Sequence, residues 1–279
     1  MTVGEFRKYT DDEIKHLQEV ELMILKDVVK LLEKHDLKYY MYGGSLLGTI
    51  RHKGFIPWDD DIDIILFRKD FDKALDILNS ELPEKYDLIQ MDYIEDCFAY
   101  FAKISLKDTT FSRWYTPYVD YDLGINIDIF ALDNITNNDF LGKLHHYGYV
   151  FCYQFVINSC IKVDMYTKFR TILHHLVYYI LKIIPISRKT WKKLLKKEIT
   201  FFSNKKTERV VDCFNLCGYM PYQREDFEPA INAKFEDFDV KIPKNYDKLL
   251  TQIYGDYMEI PPKEKRYNAA PEILDFGEY

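Results

Sequence analysis

The chain has no uninterrupted apolar run of eighteen residues, and its opening segment, MTVGEFRKYTDDEIK, carries no apolar signal region. Neither a membrane-spanning helix nor a secretory leader is expected. Cysteine is sparse and odd in number: Cys97, Cys152, Cys160, Cys213 and Cys217, with no zinc spacing to histidine and no CxxC pair. Cys213 and Cys217 stand at a helical i,i+4 spacing. Reduced, buried thiols of a cytoplasmic protein are the expectation, rather than a disulfide framework. An overall basic excess is also missing: the net charge of −7 argues against general nucleic-acid binding. Repeats and low-complexity tracts are absent. With 47% hydrophobic and 30% charged residues the chain is not disordered. Its 279 residues suffice for one large domain or a core with a smaller lobe.

What is present is concentrated in residues 42–67, YGGSLLGTIRHKGFIPWDDDIDIILF. A strand over Lys38–Tyr42 is predicted to lead into the turn Gly43-Gly44-Ser45, which opens a helix over Ser45–Arg51. A loop over Lys53–Asp60 follows, then a strand over Asp61–Phe67. On a strand, residues i and i+2 share a face, so Asp61 and Asp63 are expected to point the same way. Neighbouring carboxylates repel unless a cation lies between them. A Gly-rich turn nearby offers backbone N–H groups to a phosphate. Together these residues point to Mg²⁺-assisted chemistry on a phosphate ester.

A first helix is predicted to Lys34, with Thr10 and Glu13 as a capping box and an apolar stripe at Ile14, Leu17, Ile24, Leu25, Val28, Leu31 and Leu32. A helix over Asp70–Ser80 and strands over Tyr86–Met91 and Phe98–Leu106 come next. GINIDIFAL, residues 124–132, reads as a strand with Ile125, Ile127 and Ile129 on one face and Asn126, Asp128 and Phe130 on the other. An acid among such residues is costly to bury unpaired. Asp128 therefore needs a metal, a base or a hydrogen-bond network; satisfaction by backbone N–H groups is the structural alternative.

GGS, DID and IDIF in this order have the layout of the nucleotidyltransferase superfamily. More closely, GGSLLGTIRHKGFIPWDDDID, GINIDIFALD and IPKNYDKLLTQIYGDYMEIPPKEKR resemble the LicD family of phosphocholine transferases, related to the fukutin group. The resemblance runs from Leu37 to Arg266 and is loosest in the middle. It implies an α/β (α+β) fold with a nucleotidyltransferase-like mixed-sheet core and helical additions. The corresponding division is an N-terminal helix over 1–36, a catalytic core over 37–135, a helical, basic, aromatic-rich insertion over 136–206, and a segment over 207–279 that completes the core.

The resemblance further implies transfer of phosphocholine from CDP-choline to a sugar hydroxyl of a lipid-linked or cell-surface glycan, of the teichoic acid or lipopolysaccharide type, with release of CMP. Asp61 and Asp63 match the metal-binding pair, for Mg²⁺ or Mn²⁺, and Asp128 matches the third acid. Asp59 begins the same cluster, as a metal or supporting group, whereas Asp60 is read as a solvated loop acid. Gly43, Gly44 and Ser45 match the phosphate-facing turn, and Arg51, His52 and Lys53 are expected diphosphate contacts. Lys103 and Arg266 are anion-contact candidates, Lys103 having a surface lysine as its alternative. Trp58, Trp114, Tyr115 and Tyr121 are the aromatics nearest the signature strands for a quaternary ammonium, although any of them also suits the core. Competing functions keep the core and change the donor, to CDP-linked ribitol phosphate or to a nucleotide from an NTP. A non-catalytic, membrane-associated ligand-binding scaffold is the third.

Residues 160–206 carry twelve Lys/Arg against two acids, a balance of +10 that leaves −17 for the remainder. Lys182, Arg188, Lys189, Lys192, Lys193, Lys196 and Lys197 lie among aromatic and aliphatic runs. One reading is a buried helix followed by a solvated basic one. The other is an interfacial pair that meets anionic lipid, peripheral on the inner face of the plasma membrane, where a lipid-linked acceptor resides.

Overall fold

The computed structural model describes residues 7–113, 115–161, 186–213, 218–266 and 270–279, with a few positions between 172 and 183. Trp114, Lys182 and Cys217 lie outside the described residues. The first helix, α1 (Asp11–Lys34), starts where the capping box places it: Thr10 Oγ1 accepts the Glu13 N–H, and the Glu13 carboxylate accepts the Thr10 N–H. Its buried face includes Leu17, Ile24, Leu25, Val28 and Leu32, each fully covered. Such burial contributes about 1.5–3 kcal/mol per side chain.

Five strands follow in the first half: β1 (Tyr40–Met41), β2 (Asp63–Phe67), β3 (Tyr86–Ile89), β4 (Ala102–Leu106) and β5 (Thr110–Phe111). Helix α2 (Gly43–Arg51) joins β1 to β2, and α3 (Arg68–Glu81) joins β2 to β3. The ten-residue strand β6 (Asn126–Ile135) is the spine of the sheet. It pairs with β2 in parallel and with β4 antiparallel, while its last four residues pair with β7 (Arg209–Asp212). With β1 beyond β2, β3 beyond β4, and β8 (Pro221–Gln223) beyond β7, this is a mixed seven-stranded sheet.

Strand alternation divides the sheet into two faces. Ile64, Leu66, Ile127 and Ile129 pack with α1, whereas Ile65, Phe67, Phe130 and Leu132 pack with Tyr40, Val210 and Tyr222. On the α1 side of β6, Asp133 is fully buried and takes both arms of the Arg68 guanidinium, at 2.7 and 2.8 Å. That pair locks α3 to the sheet.

The segment after β6 forms α4 (Asp139–Cys160) and α5 (Arg188–Ile199), capped by Asn138 and Ser187. They pack together through Tyr149, Tyr153, Val156, Leu195 and Ile199, with Phe155 stacked on Trp191 at 4.9 Å. The chain then adds a β9 (Ile231–Phe235) and β10 (Phe238–Ile242) hairpin, helix α6 (Tyr246–Tyr254), and β11 (Leu274–Asp275), which pairs with β5. Among the described residues no helix is long and apolar enough to cross a membrane. Cys97, Cys152, Cys160 and Cys213 are free thiols.

Most element ends shift by one to four residues from the sequence expectation, and three starts have an identifiable local setting. The strand expected from Asp61 begins at Asp63, because the Asp63 N–H is taken by Ser45 Oγ at 2.8 Å instead of by a strand neighbour. The helix expected from Ser45 begins at Gly43, whose φ of +54° suits a residue without a side chain. The strand expected from Phe98 begins at Ala102. Before it, the Met91 N–H to Ala99 carbonyl bond is an isolated link without a ladder.

Candidate active site

Strand register brings the first part of the site together. Asp63 of β2 is the direct partner of Asp128 on β6, and Asp128 is the direct partner of Lys103 on β4. Paired residues project on the same side, so three adjacent strands present Asp63, Asp128 and Lys103 in a row. Lys103, only 6% exposed, donates to Asp128 Oδ1 at 2.5 Å and to Asn126 Oδ1 at 3.0 Å. Burial opposes its charge, but Asp128 holds its ammonium above the ordinary lysine range. Lys103 is thus no surface lysine, and Asp128 is satisfied by an ammonium instead of by backbone.

The second part is the loop that enters β2. Asp59, Asp60 and Asp61 each place a carboxylate oxygen within 4.8 Å of the others. The Asp128 N–H donates to the Ile62 carbonyl at 2.8 Å, which fixes this loop to β6 just before the ladder begins. Asp60, read from the sequence as a solvated loop acid, belongs to the cluster: it accepts the Tyr9 hydroxyl at 2.9 Å. Helix α1 holds the same loop through Gln18 Nε2, which donates to the carbonyls of Asp59 (2.9 Å) and Ile56 (3.3 Å).

The third part is the N-terminus of α2. A Cβ added at Gly44 would stand 2.7 Å from Asp59 Oδ2, and one at Gly43 would stand 3.1 Å from Asp63 Oδ2. The two glycines let acids approach the first helical turn, where unpaired N–H groups favour negative charge. The Gly43-Gly44-Ser45 turn and the acid cluster are therefore one site. Tyr254 borders it, its hydroxyl 3.9 Å from the same Cβ position at Gly43. Burial, and then the charges of Asp63, Asp59 and Asp61, push its phenol well up.

Crowding shows in the acids themselves. Burial first, then Asp61 and Asp60, push the Asp59 carboxyl up to about 8. Burial, Asp60 and Asp128 push Asp61 up to about 6. Asp63 is raised well above the carboxylate range by burial and by Asp61, Asp128 and Asp59. Six carboxylates gather here, counting Glu21, against the cations Lys103 and Arg113. An all-oxygen donor set with surplus negative charge fits a hard divalent cation.

Glu21 and Arg113 escaped the sequence reading. Glu21 is 1% exposed, its Oε2 has no hydrogen-bond partner among the described residues, and burial followed by Asp61 and Asp60 drives its carboxyl well up. Its signal was an acid inside the apolar stripe, three residues before Ile24 and four after Leu17. Arg113 faces Asp60, Asp128 and Asp61, whose charges keep its guanidinium raised although burial opposes this. It rests 4.4 Å over the Phe111 ring. No motif surrounds it in the sequence.

The remaining expected contacts form a neighbouring group. Arg51 Nη1 donates to the carbonyls of Tyr257 (2.7 Å) and Glu259 (3.3 Å), and its Nε to His52 at 3.0 Å. This guanidinium holds the YGDYM tail against α2. Arg266 lies 4.6 Å over the Trp58 ring and donates to the Pro261 carbonyl; His52 meets the same ring edge-on. Lys53 is exposed in a turn at φ +63°, its carbonyl accepting from Glu236.

Residues 36–164 match the family described as LicD/FKTN/FKRP, nucleotidyltransferase domain. Among curated proteins, the chain is 29% identical over 264 residues to the lipopolysaccharide cholinephosphotransferase LicD of Haemophilus influenzae, covering 90% of this chain and 93% of that protein. It is 46% identical over 43 residues to the human ribitol 5-phosphate transferase FKRP, 15% of this chain and 9% of that protein. An uncharacterised protein of Rickettsia typhi is 42% identical over 67 residues, 24% of this chain and 21% of its own length.

Proposed function

We propose that the chain is a member of the LicD/FKTN/FKRP nucleotidyltransferase-domain family, which its residues 36–164 match, and that it transfers phosphocholine from CDP-choline to a sugar hydroxyl of a lipid-linked glycan precursor, releasing CMP. The observation that carries this reading is the in-register row of Asp63, Asp128 and Lys103 beside the Asp59–Asp60–Asp61 loop, at the first turn of α2. The acceptor is of the lipopolysaccharide or teichoic acid type, and the protein works at the cytoplasmic face of an anionic membrane.

Asp61 and Asp63, with Asp59 and Asp128 beside them, would hold Mg²⁺ or Mn²⁺. Bound there, the ion would neutralise phosphate charge and stabilise the leaving oxygen. The N–H groups of Gly43, Gly44 and Ser45 receive the diphosphate, and Arg113, beside Asp60, Asp61 and Asp128, is a further cation for it. The sugar oxygen forms a bond to the choline-bearing phosphorus as the bond from that phosphorus to the bridging oxygen breaks. CMP leaves with the bridging oxygen. Asp128, one oxygen fixed by Lys103, uses the other to position the hydroxyl and take up its proton.

Incubation with CDP-choline, Mg²⁺ and lipid-linked oligosaccharides tests this. The expected result is CMP release with a phosphocholine mass added to the acceptor. Asp61→Ala or Asp63→Ala that still released CMP at the wild-type rate would refute the assignment. The FKRP similarity supports one second reading, with CDP-ribitol as donor; it predicts CMP release from that compound and none from CDP-choline. Pyrophosphate from an NTP would indicate nucleotidyl transfer instead.

A further inference from the structure

Helix α4 carries an apolar stripe that nothing among the described residues covers. Phe140, Leu144, Tyr147 and Phe151 are 75%, 62%, 68% and 64% exposed. At 100° per residue these four positions fall within about 60° of one another and span roughly 16 Å of helix. Lys143 and Gln154 flank the stripe, while the opposite face buries His145, Tyr149, Tyr153 and Val156. An exposed run of large apolar side chains on one helix marks an interaction surface.

The partner helix supplies the complementary charge. Of the basic residues in α5, three are used internally. Lys192 donates to the carbonyls of Met91, Ile94 and Glu95; Lys196 pairs with Asp92; Arg188 pairs with Asp96. Lys189, Lys193 and Lys197, one turn apart, remain exposed. Downstream, Phe201 is 57% exposed, with the Lys205 ammonium 5.3 Å from its ring centre. The surrounding +10 segment stands against −17 elsewhere. Exposed apolar side chains with neighbouring lysines fit the boundary of an anionic bilayer; a soluble acidic partner would not call for so broad an apolar stripe.

We infer that the α4 stripe Phe140, Leu144, Tyr147 and Phe151 inserts, lying in the membrane plane, into the head-group layer of an anionic bilayer, with Lys189, Lys193 and Lys197 as the lipid-facing cations. This deepens the proposed function by naming the surface that meets the acceptor's membrane, and rests on that reading only for its purpose. No helix among the described residues spans the bilayer, so the contact is reversible and salt-sensitive.

The test is flotation of the full chain with vesicles of phosphatidylcholine alone or with about one third phosphatidylglycerol, at low and high salt. Wild type is expected to float with the anionic vesicles at low salt and to be weakened at high salt. Phe140→Ser/Leu144→Ser/Phe151→Ser should reduce binding at least about tenfold with unchanged circular dichroism, since the replaced side chains are exposed. Lys189→Glu/Lys193→Glu/Lys197→Glu should bind neutral and anionic vesicles equally poorly. Absence of wild-type flotation at low salt would overturn the inference. So would full binding by the serine variant, or a wild-type dimer that this variant dissociates without any vesicle binding. CMP release with a soluble, lipid-free acceptor, measured in parallel, reports on the proposed chemistry separately.

Discussion

Replacing Asp61 by Asn should do two things of opposite sign: abolish turnover and stabilise the metal-free fold. In the folded chain the Asp61 carboxyl is pushed from 3.8 up to about 6, by burial and by the charges of Asp60 and Asp128. Across that window the folded state binds more protons than the unfolded state. Stability therefore falls as pH rises from about 4 to about 6, and the whole penalty is present above. At 1.36 kcal/mol per pH unit the displacement costs about 3 kcal/mol, or nearer 1 where water screens the partly exposed carboxylate. Asn carries no charge and escapes this cost. For a chain of this size each kcal/mol moves the melting temperature by about 2–4 °C. Asp61→Asn in EDTA at pH 8 should melt several degrees above wild type, and at pH 4 the two should coincide. Excess Mg²⁺ should raise wild type more than the variant, because only wild type has the full charge to neutralise. Differential scanning fluorimetry in EDTA and in Mg²⁺, at both pH values, gives the eight melting temperatures, four for each protein. A variant that melts below wild type at pH 8 in EDTA would refute the reasoning, since Asp61 would then be a structural partner and not a repelled charge.

Gly44→Ala would place a methyl group 2.7 Å from Asp59 Oδ2; a loss of at least about tenfold in kcat is expected, with Tm changed by only a few degrees. Lys103→Met removes the ammonium that serves Asp128 and Asn126; urea unfolding should show a loss of about 3–5 kcal/mol, together with loss of turnover. Arg68→Met leaves Asp133 buried without its guanidinium; the same unfolding cost is expected, but surviving enzyme should keep its KM because this pair lies on the α1 side of the sheet.

How much of this was legible in the sequence depended on the range of the signal. Periodicity and capping placed α1 to within a residue of its start, because Thr10 and Glu13 act locally. The alternation in GINIDIFAL separated the faces of β6 correctly, since neighbouring side chains of a strand point oppositely. Local pattern could not show that Lys103 stands opposite Asp128, a pairing set by antiparallel register between distant segments. Nor could it show that Arg113 turns toward the acids, that Asp60 is bonded to Tyr9, or that Arg51 holds the tail. The lysines of α5 looked alike in sequence. Only packing against residues 91–96 separates those that tie the fold together from those that face outward.

The strand pairing of β6 also decides where this chain can be cut. The family-domain match spans residues 36–164, yet the last four residues of β6 bond to β7, some seventy positions downstream. One sheet face is roofed by α1, which lies wholly before position 36. A fragment trimmed to the similar region would carry all of Asp59, Asp61, Asp63 and Asp128 and still be left with a bare sheet margin and an unroofed layer of isoleucines. Such margins recruit other chains. The family-matched segment is therefore smaller than the foldable unit, in keeping with the 264 residues shared with the Haemophilus influenzae relative, and expression work should respect the larger one.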